Sequence, residues 1–206
     1  MPRIPFTPDE PTLRWLTETN QPDRRMCLEA DFAYIDPSNR SWSVRKDFVV
    51  DGASIPRILW NIVGSPYTGD YRRASIVHDY WCQQNGWQGR LAADRMFRHA
   101  CLDGGCSPQH AWLLYIGVRI GAYTPFFTVS PAQSATYSAF EYEQTPGLSP
   151  QEEAQLLAFQ EAARLTNTRL SNEASDDDLA DIIDKTVELS LSRTGVLHSE
   201  WTQSSS

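Results

Sequence analysis

The segment Asp51-Gly-Ala-Ser-Ile-Pro56 constrains the fold most, because the residue pattern changes there from strand-like to helical. Gly52 frees the backbone, and Pro56 either ends ladder pairing or opens a helix. Before this segment, residues 25–35 and 41–50 have the composition of strands. The turn-forming run Asp36-Pro-Ser-Asn-Arg40 lies between them. We therefore predict an N-terminal β-hairpin over residues 25–50.

After Pro56, apolar residues recur at helical spacing in a series of segments. The pattern predicts a short turn and three helices in the middle of the chain, separated at Asn85-Gly86 and Gly104-Gly105. A Ser149-x-x-Glu152 capping box and the run Ser175-Asp-Asp-Asp178 each open a further helix. The three middle helices are expected at about 70–83, 90–102 and 108–121. We therefore predict an α+β fold, in which the hairpin packs on a core of about three helices and is followed by additional C-terminal helices.

Charge divides the chain into two parts. Residues 1–123 contain 14 Lys and Arg against 13 Asp and Glu, whereas residues 124–206 contain 4 against 13. We interpret 1–123 as the hairpin and helical core with the candidate site, 124–148 as a linker, and 149–206 as an acidic helical extension with a disordered tail. An acidic chain without a dense basic stripe argues against nucleic-acid binding.

The beginning of the chain bears on where the protein is made. The first 22 residues contain Asp9, Glu10 and Arg14 among several prolines, without an apolar run. This composition predicts neither a signal peptide nor a membrane span, and hence synthesis in a cytoplasm. In that compartment the four cysteines are expected to be free thiols.

The chemically most informative residues are His78 and Asp79, followed by Asp94. If the helices at 70–83 and 90–102 pack antiparallel across their short connection, Asp94 can face His78 and accept its Nδ1 proton. The other ring nitrogen would then accept a proton from water, as a general base does. The sequence thus predicts His78 and Asp94 as catalytic residues.

The same region offers ligands for a metal ion. Asp79 is expected to face the end of the second strand, where the Asp51 carboxylate and backbone carbonyls at Gly52 could complete an oxygen cage. Oxygen donors of this kind suit calcium better than zinc. A bound cation could polarise an ester carbonyl and stabilise its oxyanion.

These residues resemble the pattern of short prokaryotic and parvoviral members of the phospholipase A2 superfamily. The resemblance covers about 51–102 and implies that His78 activates water, Asp79 ligates calcium and Asp94 orients the histidine. It also implies a phospholipid or another ester as substrate. The superfamily's usual Tyr four residues after the histidine is Cys82 here, and its glycine-rich loop has only a short counterpart at Asp51-Gly52.

A broader resemblance, over about 42–121, is to an uncharacterised family found in tailed-phage and prophage genomes. It lies in Asp-Gly-Ala-Ser-Ile-Pro-Arg from Asp51, in His78-Asp79, in Arg-x-x-x-Asp-x-x-Phe from Arg90, and in Val118-Arg-Ile-Gly121. This resemblance implies a phage origin. It makes virion proteins possible partners, bound through the acidic C-terminal helices, and a virion a second possible location.

A second interpretation of the site is structural. In it, His78, Asp79 and Asp94 form a buried clamp, meaning a hydrogen-bonded set that holds two helices together in a noncatalytic phage protein. The two interpretations predict different exposure, since a hydrolase needs these side chains at a cleft and a clamp buries them. A Cys82–His78 pair is geometrically possible, but the thiol is more simply a small buried hydrophobe. The sequence contains neither a nucleophile elbow nor a histidine before His78, which argues against serine hydrolases and HD-type phosphohydrolases.

Overall fold

The computed structural model describes residues 3–17, 25–50, 55–64, 69–123, 148–170 and 175–195. Within these ranges the protein combines two small antiparallel sheets with a set of helices, so the predicted α+β class is confirmed. The strands are β1 (Phe6–Thr7), β2 (Leu13–Trp15), β3 (Met26–Leu28), β4 (Phe32–Ile35), β5 (Ser41–Val44) and β6 (Val49–Val50).

The helices follow the strands in the chain. A 3-10 turn (Arg57–Leu59) leads into α1 (Trp60–Val63), α2 (Arg72–Asp103) and α3 (Pro108–Tyr123), and then into α4 (Pro150–Leu170) and α5 (Asp176–Thr194). The predicted C-terminal helices start where their caps suggested. The Ser175 hydroxyl accepts from the Asp178 backbone N, and Ser149 exchanges hydrogen bonds with Glu152. None of the described helices is both long and apolar enough to span a bilayer.

The predicted turn at residues 36–40 forms a true hairpin between β4 and β5, with Tyr34 opposite Trp42. The Asp36 carboxylate organises it, accepting from the Ser38 and Arg40 backbone N, both at 2.9 Å, and from the Trp42 indole at 2.9 Å. Burial raises the pKa of Asp36, but these hydrogen bonds outweigh it and the net pKa is lowered. The carboxylate is therefore charged and holds the turn.

The rest of the predicted hairpin was wrong. Residues 25–35 form two strands rather than one, and each joins a different sheet: β4 lies between β1 and β5, whereas β3 lies between β2 and β6. The second strand is also interrupted, because Asp47 has a φ of 65° and turns the chain before β6. The N-terminal arm, for which we predicted no strand, supplies β1 and β2 as edge strands.

Helix α2 is bent back on itself. Its backbone is helical over all 32 residues, yet His78 Nε2 lies 2.6 Å from Asp94 Oδ1, sixteen residues away. A straight helix would separate residues at this spacing by about 24 Å. The reversal lies near Gly89, where an added Cβ would be 2.5 Å from the Asn85 Cβ, against about 5–6 Å between Cβ atoms four residues apart in a regular helix. The two halves of α2 therefore pack as a helical hairpin, as predicted, although the connection stays helical.

One core includes residues from both sheets and from the C-terminal helices. Phe6, Tyr34 and Val50 from the strands belong to the same buried cluster as Phe159 of α4 and Ile183 of α5. Helices α4 and α5 pack on each other and on α3. The predicted linker lies almost wholly outside the described residues, at 124–147, and the predicted disordered tail beyond His198 also lies outside them.

Candidate functional site

The candidate site is a hydrogen-bonded pair between the two halves of α2. The first half packs on the sheets, through a Trp42–Trp81 contact and a Phe48–Tyr80 contact. This packing turns His78 toward the second half, where its ring packs on Phe97 with centroids 4.8 Å apart. His78 Nε2 lies 2.6 Å from Asp94 Oδ1. Asp94 thus contacts Nε2, and our assignment of this contact to Nδ1 was wrong.

The other oxygen of Asp94 connects the pair to more distant helices. Arg119 of α3 donates from Nη1 to Asp94 Oδ2 and from Nε to Asp184 Oδ1 of α5, both at 2.7 Å. Tyr115 donates to the same Asp184 oxygen at 3.0 Å. Arg90 Nε lies 3.3 Å from Asp94 Oδ1. Two carboxylates and two guanidinium groups therefore balance in charge inside the helical layer.

Burial and charge fix the protonation states of the pair. Burial lowers the pKa of His78, and the hydrogen bond to Asp94 offsets this only in part. Burial raises the pKa of Asp94, but Arg90, the His78 hydrogen bond and Arg119 outweigh it, so the net pKa is lowered. A neutral imidazole thus faces a charged carboxylate. Because a carboxylate only accepts, Nε2 carries the proton and Nδ1 is the acceptor nitrogen.

Cys82 lies one helical turn after His78, with Sγ 3.5 Å from Nε2 and 3.9 Å from Nδ1. Burial raises the pKa of this thiol to about 12. It is therefore a protonated thiol at neutral pH and a poor nucleophile. The side chain is only partly buried, so it is less enclosed than the small buried hydrophobe that we expected.

The described residues include only one of the three predicted calcium ligands, Asp79. Asp79 is buried and its Oδ1 accepts from Gln83 at 3.0 Å, whereas Asp51 and Gly52 lie outside the described residues. Ligand atoms of His78, Cys82 and Asp94 lie within 4.8 Å of one another. Their nitrogen and sulfur donors suit zinc better than calcium, and Arg90 and Arg119 already neutralise Asp94. The cluster of His78, Cys82 and Asp94 therefore fits calcium poorly, whereas a calcium site at Asp79, Asp51 and Gly52 stays a prediction.

Exposure to solvent is a property on which the two interpretations of the site make different predictions. His78 and Asp94 are 0% exposed and Asp79 is 3% exposed. These are the values that we expected of a clamp and not of residues at an open cleft.

Sequence reasoning missed the arginines and Asp184. Arg119 is 1% exposed and bridges two carboxylates. A signal was present, since Arg119 is the single charged residue in the apolar run from Ala111 to Tyr123 of helix α3. A charged side chain in such a helix must be paired if it is buried.

Comparison with known proteins gives relatives without a known activity. Residues 26–118 match a family model described as a protein of unknown function, DUF1353. The uncharacterized protein y4jT of Sinorhizobium fredii (strain NBRC 101917 / NGR234) is 36% identical over 104 residues, which are 50% of this chain and 30% of that protein. The uncharacterized protein y4iH of the same strain is 37% identical over 93 residues, 44% of this chain and 38% of that protein. No solved structure matches the chain.

The region that matches the family model contains only some of the residues of the buried charge network. It includes His78, Arg90 and Asp94, whereas Arg119 follows it directly and Asp184 lies on α5. The chain spans about a third of the length of these two relatives. Residues 26–118 of this chain are therefore similar to the DUF1353 family, whose function is unknown.

Proposed function

We propose that this protein acts by binding and not by catalysis, as a noncatalytic phage-encoded protein in which His78, Asp79 and Asp94 form a clamp. The observation that carries the proposal is the complete burial of His78 and Asp94. A general base must reach the proton that it removes, directly or through one water. Enclosed side chains with protein partners have no such access in this conformation.

The partners of Asp94 support the clamp. Each of its oxygens is engaged, one by His78 and Arg90 and the other by Arg119. Removing one member of a buried charge network leaves the others uncompensated and typically costs about 3–5 kcal/mol. The network joins both halves of α2 to α3 and, through Asp184, to α5. Its geometry thus serves to fix helices.

The proposed phage origin rests on the motif resemblance. The proposed binding role rests on the surface of the C-terminal helices. Helix α5 opens with Asp176, Asp177 and Asp178, all exposed, and it also exposes Leu189 at 63%. An acidic surface with an exposed apolar side chain favours a partner that is basic and partly apolar. We therefore propose that these helices bind a virion or host protein.

A second candidate is the phospholipase A2-like hydrolase, and one observation favours it. Asp94 holds the Nε2 proton, so that Nδ1 of a neutral imidazole is left as an acceptor. This is the state that a general base needs. The reaction would require water to enter beside Cys82, and calcium would be held by Asp79 together with residues 51–52.

One experiment separates the two candidates. Fatty-acid release from mixed phospholipid vesicles is measured with calcium or with EDTA, for the wild type, His78→Gln and Asp79→Asn, with Asp181→Asn as an exposed control. The clamp predicts no release by folded wild type in either condition. It also predicts melting temperatures that fall in His78→Gln and Asp79→Asn but not in Asp181→Asn.

A different outcome of the same experiment would support the hydrolase. Calcium-dependent release by the wild type, lost in both site variants while circular dichroism shows them folded, would overturn the clamp and establish the hydrolase. An active phospholipase assayed on the same vesicles verifies the substrate.

A further inference from the structure

Two of the four free cysteines lie together at the end of α2, where the sequence reads Cys101-Leu-Asp-Gly-Gly-Cys106. The backbone N of Cys106 donates to the Cys101 carbonyl at 3.0 Å, and that of Gly105 donates to Leu102 at 3.1 Å. These two bonds define a Schellman motif, which ends a helix and brings the first and last residues of the motif into side-chain contact. The residues at these two positions are frequently apolar. Here both are cysteines, Cys101 and Cys106.

The two glycines make this close approach possible. Gly105 has a φ of 111°, a left-handed conformation that side chains rarely adopt. A Cβ on Gly104 would lie 2.4 Å from the Asp70 carbonyl oxygen, which leaves no room for a side chain. The turn is therefore set by local sequence and by packing against Asp70.

The backbone geometry is compatible with a disulfide. Through the 3.0 Å hydrogen bond, the Cα atoms of Cys101 and Cys106 are at most about 7 Å apart. Disulfides require a Cα separation below about 7 Å. The two thiols are also near enough for each to shift the pKa of the other.

The Cys101 and Cys106 thiols differ in pKa and in exposure to solvent. The hydrogen bond from Cys101 lowers the pKa of Cys106, with burial and Asp70 opposing it, whereas burial raises the pKa of Cys101. Cys106 is also the more accessible, at 7% against 0% exposed. The sulfur with more thiolate character is thus the one nearer solvent.

We propose that Cys101 and Cys106 are a redox-active dithiol that closes reversibly to a disulfide by exchange with a low-molecular-weight disulfide such as oxidised glutathione. The Cys106 thiolate attacks one sulfur of that disulfide, forming a mixed disulfide and releasing one thiolate. Cys101 loses its proton and attacks the Cys106 sulfur, which forms the internal bond and releases the second thiol. The protein loses two electrons and two protons, and the small disulfide becomes two thiols.

Closure would tie the end of α2 to the start of α3, which begins at Pro108. These two helices carry Asp94 and Arg119. The dithiol is thus a modification site outside the clamp, and its test does not depend on whether the protein is a hydrolase.

The full-length chain is equilibrated with glutathione buffers from reduced to oxidised, alkylated, and measured by intact mass and peptide mapping. Variants are Cys101→Ala, Cys106→Ala and the control Cys27→Ala, which removes a cysteine that is also 7% exposed. We expect wild type and Cys27→Ala to lose two thiols in one transition, with a Cys101–Cys106 peptide. Cys106→Ala should keep its three thiols free, and Cys101→Ala should stop at a glutathione adduct on Cys106.

Three results would overturn the proposal. They are full retention of free thiols by wild type in oxidised buffer, a stable glutathione adduct on wild-type Cys106, and oxidation that is lost in Cys27→Ala. Circular dichroism of each variant ensures that reactivity is compared between folded proteins.

Discussion

At the scale of single residues, Asp94 decides the character of the site. It holds a neutral histidine and two arginines, and all of them are shielded from solvent. The sequence identified His78 and Asp94 by type and spacing. It could not show that Arg90 and Arg119 converge on the same carboxylate, because that depends on how helices pack.

Replacing Asp94 with Asn should destabilise the protein by about 3–5 kcal/mol, because Arg90 and Arg119 lose their shared negative partner inside the protein. Urea denaturation measures the change. The matched control is Asp181→Asn, whose carboxylate pairs with Arg95 but is 62% exposed, and an exposed pair contributes about 0–1 kcal/mol. Equal losses in the two variants would contradict a buried network.

The lowered pKa of His78 predicts a stability that falls on acidification. The unfolded chain takes up the proton near pH 6.5, whereas burial keeps the folded imidazole neutral to lower pH. Between these two pKa values each pH unit should cost up to about 1.4 kcal/mol. The free energy of unfolding measured from pH 7 to pH 5 should therefore fall less steeply in His78→Gln than in wild type. Parallel curves would show that His78 does not titrate as proposed.

At the scale of elements, the features that the sequence predicted correctly were mostly turns and helix ends. The Asp36–Arg40 turn, the capping serines and the Gly104-Gly105 helix end all lie where local residues indicated. The predicted long hairpin failed because β3 and β4 pair with different neighbours, a choice made by tertiary packing and not by alternation. Helix α2 shows the reverse case, since Asn85-Gly86 marked a reversal but not a break in helical backbone.

Gly89→Ala should weaken the α2 hairpin, because the new Cβ would lie 2.5 Å from that of Asn85. Overpacking of this kind costs about 1–3 kcal/mol. The cost should shrink in an Asn85→Gly background, which removes the opposing atom. A double-mutant cycle by urea denaturation measures this coupling. Equal costs of Gly89→Ala in both backgrounds would place the reversal elsewhere.

At the scale of the whole molecule, one core joins the region that resembles the DUF1353 family, residues 26–118, to the C-terminal helices. Residues of α5 such as Ile183 and Val187 are fully buried against it, and Asp184 extends the charged network to the same helix. The charge boundary near residue 123 therefore does not coincide with a boundary in packing among the described residues.

The shared core predicts that the chain unfolds in one transition, with tryptophan fluorescence and helical circular dichroism changing together. Ile183→Ala should cost about 2–5 kcal/mol and lower both midpoints equally. The control on the same helix, Leu189→Ala, removes a side chain that is 63% exposed and should change stability by less than about 0.5 kcal/mol. Separate transitions for the two probes would mean that α4 and α5 fold on their own.

The sequence by itself determined the α+β class, the helix caps, the turn at Asp36 and the approach of His78 to Asp94, since each depends on residues close in the chain or on a short connection. Only the tertiary structure decided the pairing of β3 with β6, the arginine bridge from Asp94 to Asp184, and the enclosure of the histidine. These depend on which surfaces meet across long separations, and the burial that results is the observation on which the proposed clamp rests.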